Sequence, residues 1–176
     1  KILNPRADLI LECKTCQIYG KCGSKMSETT NLQYFAYGSN LSFIQMNNRC
    51  PENIRYGIGI LHGYRWIISS RGYANVVKSD QDYVMGRIYK ISKRDEANLD
   101  KLEGVNFIHS GYDKKTLAII VDDVSWDCLV YIDPVIQEGP PKNEYVNRIN
   151  VGLADSRFPD EYVEKYIRNK IPLTKK

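Results

Sequence analysis

The fold is decided by residues 34–41, whose sequence is Tyr34-Phe35-Ala36-Tyr37-Gly38-Ser39-Asn40-Leu41. The aromatic and apolar run over 32–37 predicts a buried strand. Gly38 interrupts this run, because glycine permits backbone angles that a side chain would forbid. A short helix is predicted over 42–48, with Ser42 and Gln45 as a capping box. These residues therefore predict a strand that leads through a tight loop into a helix.

The loop at 38–41 is a candidate anion site. Backbone amides at the start of a helix, beside the positive end of its dipole, favour a negatively charged group. The carboxylate of a small substrate would suit this position. A second interpretation is an ordinary strand-to-helix turn in which Ser39 or Asn40 caps the helix. A phosphate-binding loop is excluded, because neither of the glycine-rich phosphate motifs is present.

The rest of the chain predicts strands in the middle and helices towards the end. Strand-like runs occur at 56–61, 64–69, 74–78 and 82–91. A hairpin is predicted from 116–121 and 126–132, joined by Asp122-Asp123. Helices are predicted over 92–102, around 145–153 and from Pro159 onward. This segregation indicates the α+β class rather than alternating βαβ units.

Glu103 is the candidate catalytic residue, because it lies where the 92–102 helix should end at Gly104. The negative end of the helix dipole disfavours a carboxylate there, and Asp100 lies on the same face one turn back. Both effects are expected to raise the pKa of Glu103. A raised pKa suits a residue that must take a proton and return it. The alternative is a solvated helix terminus, since most glutamates are exposed.

Composition and charge narrow the classes of function. The chain has 176 residues, a formal net charge of +4 and a sequence pI near 8.7. No apolar run approaches the roughly 18 to 20 residues of a membrane-spanning helix, so a soluble, cytoplasmic protein is expected. The positive charge is spread along the chain, so neither a nucleic-acid nor a membrane partner is predicted. The two histidines, His62 and His109, are too few for a histidine-rich metal site.

Three of the five cysteines, Cys13, Cys16 and Cys22, lie in the head of the chain. No second cysteine pair follows them, so no metal site is predicted, although metal binding by the head thiols stays open. The odd number of cysteines argues against a disulfide framework. Residues 1–31 lack periodicity and are interpreted as a flexible N-terminal extension, followed by one domain over 32–176.

Two motifs of this domain resemble those of the γ-glutamylcyclotransferase family. One is the 34–41 segment, and the other, Leu99-Asp100-Lys101-Leu102-Glu103-Gly104-Val105, resembles the segment that carries the family's catalytic glutamate. The match continues through Ser110-Gly111-Tyr112, Val130-Tyr131 and Pro140-Pro141 with Tyr145, over about residues 32 to 170. The first motif resembles the general, AIG2-like branch, fungal-type members included, more than the glutathione-specific branch. The resemblance implies a small mixed β-barrel flanked by helices.

The resemblance also implies a function and a site. The enzyme would cyclise γ-glutamyl amino acids or amines to 5-oxoproline and release the amino acid or amine, without a cofactor. Glu103 would be the catalytic general acid and base. The implied substrate-binding residues are Tyr37, Gly38, Ser39, Asn40, Leu41 and Tyr112. The implied partner is a small γ-glutamyl molecule, the domain over 32–176 would be catalytic, and the oligomeric state, a homodimer included, stays open.

Three alternatives are left open by the sequence. Related enzymes act on γ-glutamylamines or on γ-glutamyl secondary metabolites, and the segments 109–115 and 137–143 would decide between such substrates. A thiol enzyme would use Cys50 or Cys128 with a histidine. A non-catalytic binding module would use the arginines and aromatic residues of Arg65-Trp66 and Arg71-Gly72-Tyr73.

Overall fold

A computed structural model describes residues 32–105 and 111–174, and five of its strands form one closed barrel. The strands are β1 (Leu32–Ala36), β2 (Ile54–Ile68), β3 (Ala74–Ile91), β4 (Asp113–Val121) and β5 (Val124–Ile132). Their order around the barrel is β1-β3-β2-β4-β5. β1 and β5 pair in parallel, whereas the other neighbours are antiparallel. The predicted α+β fold, a small mixed barrel flanked by helices, is confirmed.

The middle strands are longer than the sequence pattern predicted. The runs at 56–61 and 64–69 belong to the single strand β2, and those at 74–78 and 82–91 belong to β3. Gly63 does not end β2, because a shift of register between His62 and Tyr64 absorbs its left-handed backbone (φ 75°). His62 is exposed and lies on β2, next to this register shift.

The predicted hairpin between β4 and β5 is confirmed. Asp122 and Asp123 both have positive φ, at 48° and 63°. Two consecutive left-handed residues match the right-handed twist of the strands that they join, and aspartate tolerates this conformation well. Both strands begin earlier than the predicted runs: β4 begins at Asp113, which pairs with Ile132, and β5 begins at Val124, which pairs with Val121.

Within the part of the chain that the structure describes, four α-helices flank the barrel, namely α1 (Phe43–Arg49), α2 (Lys93–Glu103), α3 (Asn143–Ser156) and α4 (Asp160–Tyr166). The Ser42 hydroxyl caps α1 by accepting from the Gln45 amide at 3.4 Å. The predicted capping box is only half formed, because the Gln45 side chain bonds instead to Ser39 and Asn40. α2 begins after Ser92, whose hydroxyl caps it by accepting from the Asp95 amide, and ends at Gly104, whose φ is 65°.

The barrel core and the two last helices share one apolar cluster. α3 contributes Tyr145 and Ile149, and α4 contributes Tyr162 and Tyr166, all of them buried. α3 also packs closely against the loop after β1: a Cβ on Gly152 would lie 2.7 Å from the Leu41 Cβ. This contact holds α3 against the predicted anion loop. No helix within the described ranges is long and apolar enough to cross a bilayer.

Candidate active site

A cavity of about 290 Å³ opens where the loop after β1, the end of α2 and the side of α3 meet. Its lining combines tyrosines, two arginines and one carboxylate. The lining residues are Tyr34, Tyr37, Gly38, Ser39, Asn40, Arg49, Tyr73, Ala74, Leu102, Glu103, Tyr112, Tyr131, Tyr145 and Arg148. The structure therefore brings together the two motifs that the sequence analysis singled out.

Glu103 is the last residue of α2, and its side chain is only 18% exposed. Burial raises the pKa of its carboxyl above the ordinary value, while the nearby charges of Arg49 and Arg148 oppose the rise. The Arg49 Nη1 lies 3.7 Å from Glu103 Oε1. The predicted upward direction of the pKa shift is therefore correct, but its main cause is burial rather than the predicted repulsion by Asp100.

Asp100 is engaged elsewhere, which explains this difference. Its carboxylate accepts hydrogen bonds from Lys114 Nζ at 2.8 Å and from the Tyr131 hydroxyl at 2.6 Å. Lys114 also pairs with Glu96. Within the described ranges, by contrast, no hydrogen bond reaches the Glu103 carboxylate. Of the two acids one turn apart, only Glu103 keeps its lone pairs available to a ligand.

The loop after β1 forms a 3₁₀ turn over Ser39–Leu41, so its backbone amides are not all free to bind a ligand. The Leu41 amide donates to the Gly38 carbonyl at 3.0 Å, and the Ser39 amide donates to the Tyr145 hydroxyl. The prediction that all four amides point into the cleft is therefore wrong for these two. The capping interpretation also fails, because Ser42 rather than Ser39 or Asn40 caps the following helix.

Gly38 is required by close packing. A Cβ at this position would lie 2.9 Å from the Tyr145 hydroxyl oxygen, which is itself held by the Ser39 and Ala74 amides. Burial raises the pKa of Tyr145 to about 12, so its phenol stays neutral. Glycine thus lets the loop backbone approach α3.

Asn40 fixes the loop by bonding in three directions. Its Oδ1 accepts from Gln45 Nε2 at 2.9 Å and from Arg49 Nη1 at 2.8 Å. Its Nδ2 donates to the Tyr34 hydroxyl at 2.8 Å, and its carbonyl accepts from the Tyr89 hydroxyl at 3.0 Å. Because the side chain is buried and held by three hydrogen bonds, any contribution of Asn40 to ligand binding is expected through the backbone that it positions.

Arg148 projects from α3 into the same cavity. Its Nε donates to Gln45 Oε1 at 3.0 Å, and its Nη2 donates to the Ser39 hydroxyl at 3.1 Å. Its guanidinium also lies 5.4 Å from the centre of the Tyr145 ring. These contacts hold the guanidinium in one orientation beside the loop.

The remaining predicted binding residues differ in their surroundings. Tyr37 lines the cavity, but its hydroxyl donates to the Tyr131 carbonyl at 2.5 Å, so packing is its main role. Leu41 is 2% exposed, lies in the core against Gly152 and does not line the cavity. Tyr112 lines the cavity, and its amide donates to the Glu103 carbonyl at 3.0 Å. Leu102 is 54% exposed beside the cavity, whereas Leu99 on the same helix is buried.

Arg49 and Arg148, the two arginines of the site, were not predicted from the sequence. Arg49 lies one helical turn after Gln45, and Arg148 lies three residues after Tyr145, so both share a helix face with a residue of the site. This spacing was the available signal, but nothing in the local sequence shows that the two helices meet. His109, Ser110 and the head cysteines lie outside the described residues.

The structure weakens the alternative sites. Cys50 and Cys128 are fully buried, and burial raises the pKa of each thiol to about 12, which disfavours the nucleophilic thiolate. The Trp66 ring, required by the binding-module interpretation, is 2% exposed, and its indole donates to the Tyr37 carbonyl at 3.0 Å. Arg65 pairs with Glu138 at 2.6 Å.

The barrel therefore carries a cavity of small-molecule size, and among its lining residues the one carboxylate is that of Glu103, whose side chain is largely shielded from solvent. Residues 34–148 match the family described as gamma-glutamyl cyclotransferase, AIG2-like. The chain is 28% identical over 144 residues to the gamma-glutamylcyclotransferase of Bos taurus, covering 75% of each protein. It is 26% identical over 149 residues to that of Homo sapiens, also covering 75% of each.

The comparison of structures agrees with the sequence match. A solved gamma-glutamyl cyclotransferase superimposes with a TM-score of 0.71 at 25% identity, over 83% of this chain and 92% of the other. The chain belongs to the gamma-glutamyl cyclotransferase, AIG2-like family. It is an enzyme of the γ-glutamylcyclotransferase class.

Proposed function

We propose that this cavity cyclises γ-glutamyl amino acids, releasing 5-oxoproline and the amino acid, with Glu103 as general acid and base. The observation that carries the proposal is the position of Glu103: its side chain is 18% exposed, has no hydrogen bond from the described residues, and lies in one cavity with the loop after β1. γ-Glutamylamines are a less favoured substrate class, because they lack the second carboxylate that the two arginines of the cavity would bind.

The reaction must move two protons from the attacking nitrogen to the leaving nitrogen. The substrate's α-ammonium first gives one proton to the Glu103 carboxylate, and the resulting amine attacks the γ-carbonyl carbon. A ring C–N bond forms, the γ-amide C–N bond breaks, and the second proton follows the first through Glu103 to the leaving amine. A carboxylate with a raised pKa suits both halves of this relay, since it holds the proton more readily than an exposed glutamate.

The loop after β1 would orient the substrate. Ring closure requires the α-amine to fold back on the γ-carbonyl, and gripping the α-carboxylate enforces that conformation. The Ser39 and Leu41 amides are engaged within the protein, so this role falls to the Gly38 and Asn40 amides. Backbone donors of this kind would also stabilise the charge that develops on the γ-oxygen.

The substrate itself would be the partner of this site.

We place the protein in the cytoplasm, because its two described cysteines, Cys50 and Cys128, are unpaired thiols, as is usual in a reducing compartment.

The direct test is 5-oxoproline release from a panel of γ-glutamyl amino acids, γ-glutamylamines and glutathione. We expect turnover of γ-glutamyl amino acids without added metal or nucleotide. Release from γ-glutamylamines alone would contradict the substrate class. If the folded wild-type protein released no 5-oxoproline from any member of the panel, the proposed function would be wrong.

A further inference from the structure

We propose that Arg148 is a specificity-determining residue that binds the carboxylate of the departing amino acid. The proposal rests on the proposed function and concerns the half of the substrate that is released rather than cyclised. It separates γ-glutamyl amino acids from γ-glutamylamines, which share the glutamyl half and differ in this carboxylate.

The charge of the cavity is the first argument. Its charged side chains are Arg49, Arg148 and Glu103, two cations and one anion. A γ-glutamyl derivative of a neutral amino acid carries two carboxylates and one ammonium, which is the complementary set. A simple γ-glutamylamine carries one carboxylate and one ammonium. Its binding would therefore leave one arginine of the cavity without an anion. Partly buried charges that lose solvent without gaining a partner are costly.

Arg49 and Arg148 lie at different places in the cavity. Their positions indicate which carboxylate of the substrate each arginine faces. Arg49 lies 3.7 Å from Glu103 and donates to Asn40, so it belongs to the region where the α-amine must meet the base. The α-carboxylate is attached to the same carbon as that amine and must lie in the same region. Arg148 makes no ion pair with Glu103 within the described ranges and is held on α3, beside Ser39 and Gln45. The second carboxylate therefore faces Arg148.

The guanidinium of Arg148 is oriented but not saturated. Nε and Nη2 bond to Gln45 and Ser39, whereas no residue of 32–105 or 111–174 bonds to Nη1. A planar cation fixed by two hydrogen bonds, with a further donor left over, loses little entropy on binding a carboxylate. The ring of Tyr145 beside the guanidinium supports the same orientation.

The test compares two substrates that differ in one group, γ-glutamyl-alanine and γ-glutamyl-alaninamide. For the wild type we expect kcat/KM for 5-oxoproline release to favour the acid by about tenfold or more, the worth of one charge-assisted hydrogen bond. Arg148→Met should bring this ratio close to one. Arg148→Lys, which keeps the charge without the planar fork, should retain an intermediate ratio. Arg94→Met, which removes an exposed arginine outside the cavity, is the matched control and should keep the wild-type ratio.

Two outcomes would overturn the proposal. A wild type without preference for the acid would show that the second carboxylate is not recognised. An equal loss on both substrates in Arg148→Met would show that Arg148 acts on the glutamyl half or only supports the loop through Ser39.

A binding measurement keeps this proposal separate from the proposed function. In Glu103→Gln, calorimetric titration should give a lower Kd for the acid than for the amide, and adding Arg148→Met should remove that difference. If the wild type released no 5-oxoproline while this binding difference was present, the proposed function would fail and the role of Arg148 would stand. Turnover without any binding difference would overturn only the role of Arg148.

Discussion

Two carboxylates of this protein, the partly buried Glu103 and the fully buried Asp133, differ in how the surrounding residues bond to them. Asp133 is fully buried and saturated: it accepts from the Ser69 hydroxyl and the Val135 amide, each at 2.9 Å, and lies 3.5 Å from Arg71 Nε. Glu103 has one ion pair at 3.7 Å and no hydrogen bond from the described residues. A saturated carboxylate holds the fold together, whereas an unsaturated one stays available to exchange a proton.

The strongest test of this contrast is Glu103→Gln. We expect kcat to fall by about a thousandfold, within the range for loss of a general acid-base group, because an amide cannot accept the substrate's proton. The melting temperature should not fall. The raised pKa means that the folded state holds the proton more tightly than the unfolded state, so the ionised carboxylate costs stability at neutral pH.

The control for this variant is Glu164→Gln on α4, which removes a carboxylate that is 72% exposed. It should leave both kcat and the melting temperature near those of the wild type. Near-normal 5-oxoproline release by Glu103→Gln would remove Glu103 from the mechanism.

Asp133→Asn should show the opposite pattern. The amide nitrogen cannot accept a hydrogen bond, and the ion pair between Arg71 and Asp133 is lost, so the free energy of unfolding should fall by about 3 kcal/mol. Urea denaturation measures this loss. kcat of the folded variant should fall far less than in Glu103→Gln, because Asp133 does not line the cavity. Asp127→Asn, on an exposed position of β5, is the control; equal stability of the two variants would contradict the structural role of Asp133.

The dependence of activity on pH tests whether Glu103 exchanges a proton with the substrate. The free enzyme needs Glu103 ionised to take the first proton, so kcat/KM should fall as pH falls through its pKa, which burial raises. Arg49→Gln removes the largest opposing charge and should move this acidic limb to higher pH. Arg49→Lys, which keeps the charge, should move it less. An acidic limb that stays in place in Arg49→Gln, or moves to lower pH, would contradict the assignment.

The sequence could predict the local elements of this fold because their signals are local. Ser92 and Gly104 define the ends of α2, and consecutive aspartates define the β4–β5 turn. The continuity of β2 and β3 could not be read in the same way. The register shift at Gly63 and the polar residues near Ser79 look like breaks in the chain, but pairing across the barrel carries both strands through them.

The site was predictable in its motifs but not in its electrostatics. The 34–41 segment and Glu103 were found from the sequence, whereas the source of the raised Glu103 pKa was not, because burial depends on residues distant in the chain. Arg148 meets Ser39 across 109 residues of sequence. Such a contact becomes visible only after α3 has packed on the loop.

The smallest expected effect distinguishes Tyr37 from Tyr112, two tyrosines of the cavity. They differ in whether the hydroxyl is hydrogen-bonded within the protein. The Tyr37 hydroxyl donates to the Tyr131 carbonyl, whereas no residue of 32–105 or 111–174 bonds to the Tyr112 hydroxyl. Tyr37→Phe should therefore lower the free energy of unfolding by about 1 kcal/mol and change kcat/KM by about threefold or less. Tyr112→Phe should do the reverse, lowering kcat/KM more than stability, because its hydroxyl is the one available to substrate. If Tyr37→Phe lost more activity than Tyr112→Phe, saturation within the protein would not distinguish structural from functional groups in this cavity.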